Sequence, residues 1–412
     1  MKKTIKVFAC IIAVFAIAIM SITILYSQIM PDSFCVIEGS FLKFSSDFPI
    51  SAVKTNNEKI VQAAATLKAG NNYSTQLELF GCIPIKKVTV DIVKETDVIP
   101  SGLPFGLKLY TEGVMIVGMT DVDTSNGADN PAYDAGVKIG DVIMAINGKP
   151  VTSNSDVAKA FESCNGNIVK LNLKRKTIGF EVQFKPAKSI SSNVYKAGLW
   201  VRDSTAGIGT LTFYSPATGL FAGLGHGICD VDTGQLLPLL KGEIVKADIN
   251  GIVKGTDGQT GELKGFFVND FPWGNLDCNS ETGVFGALNG TIEGKAIPVA
   301  TKQQVHEGAA KILVTIDGET PKEYNIVIEK VHFNDSGDTK NMIVKITDSK
   351  LLSMTGGIVQ GMSGTPIIQD GFLAGAITHV FVNDPTHGYG IFAENMIKTM
   401  KNVGKNYEKK VS

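Results

Sequence analysis

The sequence lacks several patterns that would assign a function directly. It has no CxxC pair and no HExxH motif, so neither a cysteine-based zinc knot nor the common helical zinc-protease site is indicated. It has no surplus of positive charge either, because 39 lysines and arginines stand against 40 aspartates and glutamates. Binding to nucleic-acid phosphates favours such a surplus. We therefore expect no metal, no cofactor and no nucleic-acid partner.

Cysteine is present, but in no paired spacing. One of the six cysteines, Cys10, lies within an apolar run, which leaves an odd number in the rest of the chain. The remaining five are Cys35, Cys82, Cys164, Cys229 and Cys278. This distribution predicts no disulfide framework. A single bridge remains open for an exported protein, and the sequence does not indicate which pair would form it.

The N-terminus carries a long apolar run. Residues 7–26, "VFACIIAVFAIAIMSITILY", contain no charged side chain and are long enough to cross a bilayer as a helix. Lys2, Lys3 and Lys6 precede the run, and positive charge on the short side favours the cytoplasm, so the rest of the chain is expected outside it. The alternative is a cleaved signal peptide with a processing site at 21–28.

The remaining sequence predicts a mainly β protein of several domains. Its 412 residues exceed what one core usually serves, and its 44 glycines favour strands and turns over helical bundles. Between the apolar run and residue 98, "STQLELFG" and "KKVTVDIV" alternate as a hairpin would. The stretch before them, 45–72, is interpreted as an exposed linker around one short helix at 58–67.

Residues 99–187 have a distinctive order of elements. The segment "NPAYDAGVKIGDVIMAINGKPV" at 130–151 predicts a short helix, a Gly-Asp turn, a strand and an Asn-Gly turn, and a capped helix and two strands follow. This segment resembles a PDZ domain. The resemblance implies that an extended peptide pairs with the strand at Phe105, Gly106 and Leu107. Pro104 lacks an N–H, which departs from the usual carboxylate-binding loop, so the ligand could be an internal segment or part of the same chain.

From residue 188 to about 405, many short strands are separated by glycine-rich turns. They predict a barrel or paired barrels. Within this region, "GMSGTP" places Ser363 on a tight turn. A serine hydroxyl needs a base and N–H donors to act as a nucleophile, and the N–H groups of Gly361 and Ser363 could face one oxygen atom. The turn therefore predicts a nucleophile and an oxyanion hole, although many tight turns combine Ser and Gly.

The base would come from five histidines. His226 stands between glycines after an apolar strand, in "FAGLGHGICD", where its ring can project into a cleft, so it is favoured. His379 could instead line a substrate-pairing strand with Thr378 and Val380. The others, His306, His332 and His387, fit ordinary strand or turn positions. The carboxylate that orients the base remains open between four candidates, which are Asp230, Asp232, Asp277 and Asp348.

Several of these segments together resemble a known family. The segments "FAGLGHGICD", "CNSETGVFG" and "GGIVQGMSGTPIIQDGFLAGAITHVFVNDPTHGYGIF", after the PDZ-like region, resemble the stage IV sporulation protein B (SpoIVB) peptidases of endospore-forming bacteria. The resemblance implies a chymotrypsin-like double β-barrel with Ser363 as nucleophile, His226 as general base and Asp348 as the orienting acid. Asp348 departs from most chymotrypsin-like enzymes, in which the acid comes from the first barrel.

The resemblance also implies a biological role. Such peptidases are anchored in, or secreted into, the space around the forespore, cleave a membrane-bound regulatory protein, and so activate intramembrane processing of a sigma-factor precursor. They cleave their own N-terminal region as well, and their PDZ domain takes part in recognition. The expected domains are an anchor at 1–30, a linker and small β region at 31–98, a PDZ domain at 99–187, a peptidase at 188–405 and a tail at 406–412.

Two other functions are compatible with parts of the sequence. A membrane-tethered PDZ scaffold with an inactive peptidase-like domain is the first, but it would not require Ser363 and His226 to stand in intact motifs. A metal-dependent hydrolase using His226, Cys229 and distant histidines is the second, and no paired-ligand spacing supports it.

Overall fold

The computed structural model describes residues 2–44, 50–52, 67–268, 271–333 and 339–411. The expected helix at 58–67 and most of the expected linker at 45–72 lie outside these ranges. The helices are α1 (Lys2–Ile29), α2 (Pro131–Asp134), α3 (Asn154–Ser163), α4 (Ser349–Thr355) and α5 (Ala393–Val411), with a 3₁₀ helix at Lys302–Gln304.

Strands make up most of the described fold, which confirms the mainly β prediction. In chain order they are β1 (Ser33–Ile37), β2 (Ile50–Ala52), β3 (Asn72–Leu79), β4 (Ile83–Val93), β5 (Asp97–Pro100), β6 (Pro104–Met119), β7 (Val122–Thr124), β8 (Gly127–Asp129), β9 (Val142–Ile146), β10 (Lys149–Pro150), β11 (Val169–Arg175), β12 (Ile178–Phe184), β13 (Ala187–Lys188), β14 (Tyr195–Lys196), β15 (Leu199–Tyr214), β16 (Leu220–Gly223), β17 (Leu239–Val253), β18 (Glu262–Phe267), β19 (Gly274–Ser280), β20 (Gly283–Leu288), β21 (Ile297–Pro298), β22 (Gly308–Val314), β23 (Lys322–Val331), β24 (Met342–Ile346), β25 (Pro366–Gln369), β26 (Phe372–Phe381) and β27 (Asp384–Phe392).

Helix α1 presents apolar side chains outward along its length. The stretch Ile5–Ile29 has a mean hydropathy of 2.8, and no part of its most apolar window is buried against the rest of the described chain. A large exposed apolar surface is unfavourable in water and is covered by lipid in a bilayer. Helix α1 is therefore a candidate membrane anchor or signal sequence.

The strands after α1 form a small sheet that packs on the C-terminal half of the chain. Strands β3 and β4 form the hairpin that the alternating sequence predicts, and β1 pairs with β4 in parallel. Phe34 and Val90 of this sheet belong to the same buried apolar cluster as Ile312 and Phe392. The strands of the 31–98 region thus share a buried apolar cluster with the second half of the chain.

Two six-stranded barrels form the centre of the molecule. The first closes because β6 pairs with both β15 and β17, while β19, β20 and β16 complete the ring. The second is a closed barrel in the order β22-β23-β24-β27-β26-β25. Phe105 and Phe221 are fully buried in the first barrel, and Ile326 and Val344 in the second. The expected paired barrels are confirmed.

The PDZ domain shares two strands with the first barrel. The end of β6 pairs with β9, which continues through β11 to β12, and α3 packs on this sheet through Val157 and Phe161. Helix α3 begins with a capping box between Ser153 and Asp156, as the sequence predicts. The beginning of β6 pairs with β15 and β17 in the first barrel.

Candidate active site

The turn that carries Ser363 lies where the two barrels meet. It precedes β25 of the second barrel, and Thr210 of β15 holds it from the first. The Thr210 N–H donates to the Ser363 carbonyl at 3.0 Å, and the Thr210 hydroxyl donates to the Gly361 carbonyl at 2.8 Å. Because Thr210 is only 2 % exposed, these bonds are shielded from competing water.

Glycine is required at one position of this turn. Gly364 has a φ of +93°, and a Cβ there would lie 2.1 Å from the Thr210 carbonyl oxygen and 2.4 Å from the Leu224 nitrogen. Backbone from the first barrel fills the space where a side chain would stand. The glycine therefore allows the serine turn to approach the first barrel closely.

The turn leaves two main-chain donors free. Neither the Gly361 N–H nor the Ser363 N–H donates to an acceptor within the described residues, and both residues are half-buried. Backbone N–H groups in folded proteins are nearly always paired. Two unpaired donors beside a serine fit the predicted oxyanion hole, because they can donate hydrogen bonds to the negative oxygen that forms during acyl transfer.

His226 follows β16 on a strained turn. Leu224 has a φ of +65°, and the Gly225 N–H donates to the Gly223 carbonyl at 2.8 Å, which closes a three-residue γ-turn. This turn directs the His226 ring into a cleft of about 400 Å³ that Ser363 also lines, as do His379 and Cys229. The structure thus brings the predicted nucleophile and base into one cleft.

The serine hydroxyl is engaged elsewhere in this state. Ser363 Oγ donates to the Thr378 carbonyl at 2.8 Å, and within the described residues no hydrogen bond joins Ser363 to His226. A hydroxyl has one proton to donate, so the hydroxyl must turn before His226 can take that proton. The arrangement is that of a resting site.

Backbone and burial define the state of His226. Its Nδ1 lies 2.8 Å from the Gly227 carbonyl, which can only accept, so Nδ1 carries the ring proton and Nε2 holds the lone pair. Burial lowers the pKa of His226, and the Gly227 carbonyl opposes that shift. His226 is therefore neutral at neutral pH, as a general base must be.

His379 stacks against His226. The two ring centroids are 4.7 Å apart with planes inclined by 33°. Although part of the His379 ring reaches solvent, desolvation lowers its pKa to about 4, and His226 and Lys340 act in the same direction. Of the other residues expected to bind substrate, Thr378 borders the cleft through its carbonyl, whereas Val380 packs toward the core of the second barrel.

The structure does not place Asp348 beside His226. Its carboxylate accepts from the N–H groups of Lys350 and Leu351, as the N-cap of α4, and from the N–H of Asn325. No carboxylate contacts the His226 ring within the described ranges. The structure therefore does not bring Asp348, the predicted orienting acid, to the base, because a helix N-terminus engages its carboxylate.

Several of the other candidate side chains lie in local pairs outside the cleft. His306 bonds Asp370 at 2.8 Å and His387 bonds Asp384 at 2.6 Å. Asp230 accepts from the Thr233 N–H and pairs with Arg202.

The expected PDZ peptide strand is not available to a peptide. Gly106 pairs with Ile208 of β15 on one side and with Val245 of β17 on the other, and Phe105 and Leu107 are likewise paired on both sides and buried. The structure therefore leaves no free strand edge for a peptide at these three residues, because both edges of their strand are occupied inside the first barrel.

Two residues that hold the site were not predicted from the sequence. Thr210 anchors the serine turn, and Asn279 anchors the loop after His226 by exchanging hydrogen bonds with the Ile228 backbone at 2.8 and 2.9 Å. Asn279 lies in the segment "CNSETGVFG", which carried part of the family resemblance. Thr210 lies in an ordinary alternating strand and gives no local signal.

Comparisons with known proteins agree with this architecture. The family model for SpoIVB peptidase S55 matches residues 193–397, and a PDZ domain model matches residues 123–175. No curated protein matches the chain. These matches assign the PDZ sheet and the barrel region to two known domain types.

The chain is also similar to solved structures, although the TM-scores of the superpositions are low. One is the PDZ domain of the SdrC-like protein from Listeria monocytogenes, with 22 % identity over 22 % of this chain and 87 % of that one, and a TM-score of 0.18. Another is the Rv3671c protease in an inactive form, with 14 % identity over 48 % of this chain and 84 % of that one, and a TM-score of 0.26. A Ser-to-Ala variant of Rv3671c from M. tuberculosis H37Rv gives 12 % identity, 48 % and 82 % coverage, and a TM-score of 0.25.

Proposed function

The chain belongs to the SpoIVB peptidase S55 family, and from that membership we propose that it is a sporulation-signalling serine endopeptidase. Its substrates are a membrane-bound regulatory protein and its own N-terminal region, and cleavage of the former activates intramembrane processing of a sigma-factor precursor. The observation that carries the peptidase assignment is the meeting of Ser363, His226 and two unpaired N–H groups in one cleft. The sporulation role comes from the family resemblance.

The proposed chemistry is acyl transfer. Ser363 Oγ attacks the carbonyl carbon of the scissile peptide while His226 Nε2 takes the hydroxyl proton, and the Gly361 and Ser363 N–H groups bind the oxyanion. His226 then gives this proton to the departing amine as the C–N bond breaks. Water, deprotonated by His226, hydrolyses the resulting ester and restores the serine.

The hydrogen bond from Ser363 Oγ to the Thr378 carbonyl supports a role for β26 in substrate binding. β25 pairs with β26 only as far as Ala376, so the edge of β26 from Thr378 onward has no strand partner on that side within the described residues. An extended substrate that pairs there can donate an N–H to the Thr378 carbonyl in place of the serine hydroxyl. The displaced hydroxyl is then free to turn to His226.

For the PDZ domain, we place the peptide groove between α3 and the beginning of β15. This groove of about 360 Å³ is lined by Val157, Phe161 and the exposed Trp200, with Asp121 and Glu162 at its sides. Within the described residues, Leu199–Val201 pair with β6 on one edge only, which leaves the edge toward α3 open. Apolar lining flanked by carboxylates fits an extended peptide with apolar and basic side chains.

We also propose that α1 anchors the enzyme with its catalytic part outside the cytoplasm, in the space around the forespore. The lysines before the apolar run support this orientation. An anchor confines enzyme and membrane-bound substrate to one surface, which raises their effective concentration. Cleavage between α1 and the first strand would release a soluble form.

A serine-reactive fluorophosphonate tests the peptidase without knowledge of the substrate. The full chain in detergent micelles is treated with it beside Ser363→Ala and His226→Ala, and intact mass follows both labelling and self-cleavage. Labelling of the unmodified chain, none of Ser363→Ala and much slower labelling of His226→Ala is the expected result.

The competing function is a tethered scaffold whose peptidase domain only binds. The bond from Ser363 Oγ to the Thr378 carbonyl favours it, because the nucleophile is not activated in this state. Equal labelling of the unmodified chain and Ser363→Ala, or none at all with bound peptide present, would support the scaffold.

A further inference from the structure

In the described part of the chain, His226 has no side-chain hydrogen-bond partner of the kind that usually orients a catalytic imidazole. In serine peptidases a carboxylate on Nδ1 fixes both the tautomer and the plane of the ring. Here the Gly227 carbonyl fixes the tautomer at 2.8 Å, and Asp348 caps α4 instead. One hydrogen bond to the adjacent residue leaves the ring free to tilt about that contact. Something else must define its plane.

The ring of His379 is the group that faces His226. It projects from β26, the strand proposed to pair with substrate, and its centroid lies 4.7 Å from that of His226. Aromatic rings in contact have centroids about 4.5 to 7 Å apart, so these rings are at the close end of the range. The pair therefore restricts how far either ring can tilt.

We propose that His379 is a positioning residue for the general base, and that its ring fixes the plane of the His226 imidazole and keeps water from that face. This inference rests on the proposed peptidase function. It gives His379 a role in the reaction itself, beyond lining the substrate strand. The site then consists of a serine and two histidines. The Gly227 carbonyl fixes the tautomer of His226 and the face of His379 fixes its plane, two functions that a carboxylate has in other serine peptidases.

The charges around the pair are compatible with a neutral stack. Lys340 is the charged side chain that acts on His379, and no charged side chain among the described residues acts on His226. Cys229 shares the cleft, and burial raises the pKa of its thiol, with Glu281 and Asp230 acting in the same direction. Both rings are therefore neutral at neutral pH, where stacking carries no like-charge repulsion.

Two substitutions separate a stacking role from a purely structural one. His379→Phe keeps a flat ring, and His379→Ala removes it. The matched control is His306→Ala, which removes an exposed histidine paired with Asp370 outside the cleft. The full chain in detergent is treated with the fluorophosphonate from pH 5 to pH 9, and its second-order labelling rate and melting temperature are measured.

We expect His379→Ala to change both the labelling rate and its dependence on pH. His379→Ala labels roughly 10-fold to 100-fold more slowly at its optimum, because misplacing a catalytic group by about 1 Å costs up to that factor. The acid limb of its pH profile, which is the pH range in which the labelling rate falls as His226 becomes protonated, moves to higher pH. The reason is that water reaching His226 relieves the desolvation that lowers the pKa of that ring. His379→Phe keeps both the rate and the limb close to those of the unmodified chain, as does His306→Ala.

Three outcomes overturn the proposal. Unchanged rate and acid limb in His379→Ala would show that the ring is not needed. Equal loss in the Phe and Ala variants would assign the effect to a ring nitrogen rather than to stacking. An unmodified chain that labels no faster than Ser363→Ala would instead refute the peptidase function, and this inference with it.

Discussion

The bond between Thr210 and the serine turn offers the most direct test of the site's construction. Thr210→Val keeps the shape of the side chain but removes the hydroxyl that donates to the Gly361 carbonyl at 2.8 Å. The carbonyl then has no donor in a place that water reaches poorly. Leaving such a group unsatisfied costs about 1 to 3 kcal/mol, so we expect a loss of that size in the free energy of unfolding.

Thr210→Val should also lower the rate of the reaction at Ser363. The Thr210 N–H still donates to the Ser363 carbonyl, so the turn stays in place but loses one of its two ties to the first barrel. If half to all of this loss of about 1 to 3 kcal/mol acts on the transition state, the labelling rate falls roughly 2-fold to 140-fold, since about 1.4 kcal/mol corresponds to a factor of ten. Fluorophosphonate labelling and urea unfolding of the full chain in detergent measure the two effects.

Thr210→Ser is the matched control, because it keeps the hydroxyl and loses only a methyl group. It should retain most of the labelling rate, although the small cavity lowers stability by about 1 kcal/mol. Equal labelling rates for the Val and Ser variants would refute the reasoning. The turn would then be held by its own backbone and not by Thr210.

Three further predictions concern the rest of the molecule. Asp348→Ala should lower the free energy of unfolding by about 1 kcal/mol through loss of the α4 cap while leaving the acid limb of labelling in place, and a shifted limb would restore Asp348 to the catalytic site. The labelling rate should be half-maximal below pH 6.5, the ordinary pKa of histidine, because burial lowers the pKa of His226; a midpoint at or above that pH would contradict this. The two lowered histidine pKa values also mean that the unfolded chain binds more protons, so stability in urea should fall as pH falls below about 6.5, and His379→Ala should flatten that fall.

The fold was predictable from the sequence wherever one segment alone carried the signal. The alternation in "STQLELFG" and "KKVTVDIV" gave the β3–β4 hairpin, and the many short strands gave the paired barrels. The strand at Phe105–Leu107 was also recognised as a strand, but its partners were not. Local alternation tells which residues face a core, whereas the choice between a peptide and β15 as neighbour depends on segments about a hundred residues away.

The residues of the candidate site likewise differ in how far local sequence predicts them. Ser363 and His226 stand out because glycines beside them announce turns of unusual geometry, and Gly364 and Leu224 do adopt positive φ angles. A residue that orients the base needs no glycine beside it, so it has no comparable local signal. Any carboxylate near the serine in sequence could be an orienting acid, and Asp348 was chosen on resemblance, yet the start of α4 offers it two N–H groups. His379 comes to His226 only because β26 of one barrel passes the end of β16 of the other. A contact between two barrels cannot be predicted from either strand alone, so the stacking of His379 on His226 is visible only in the structure.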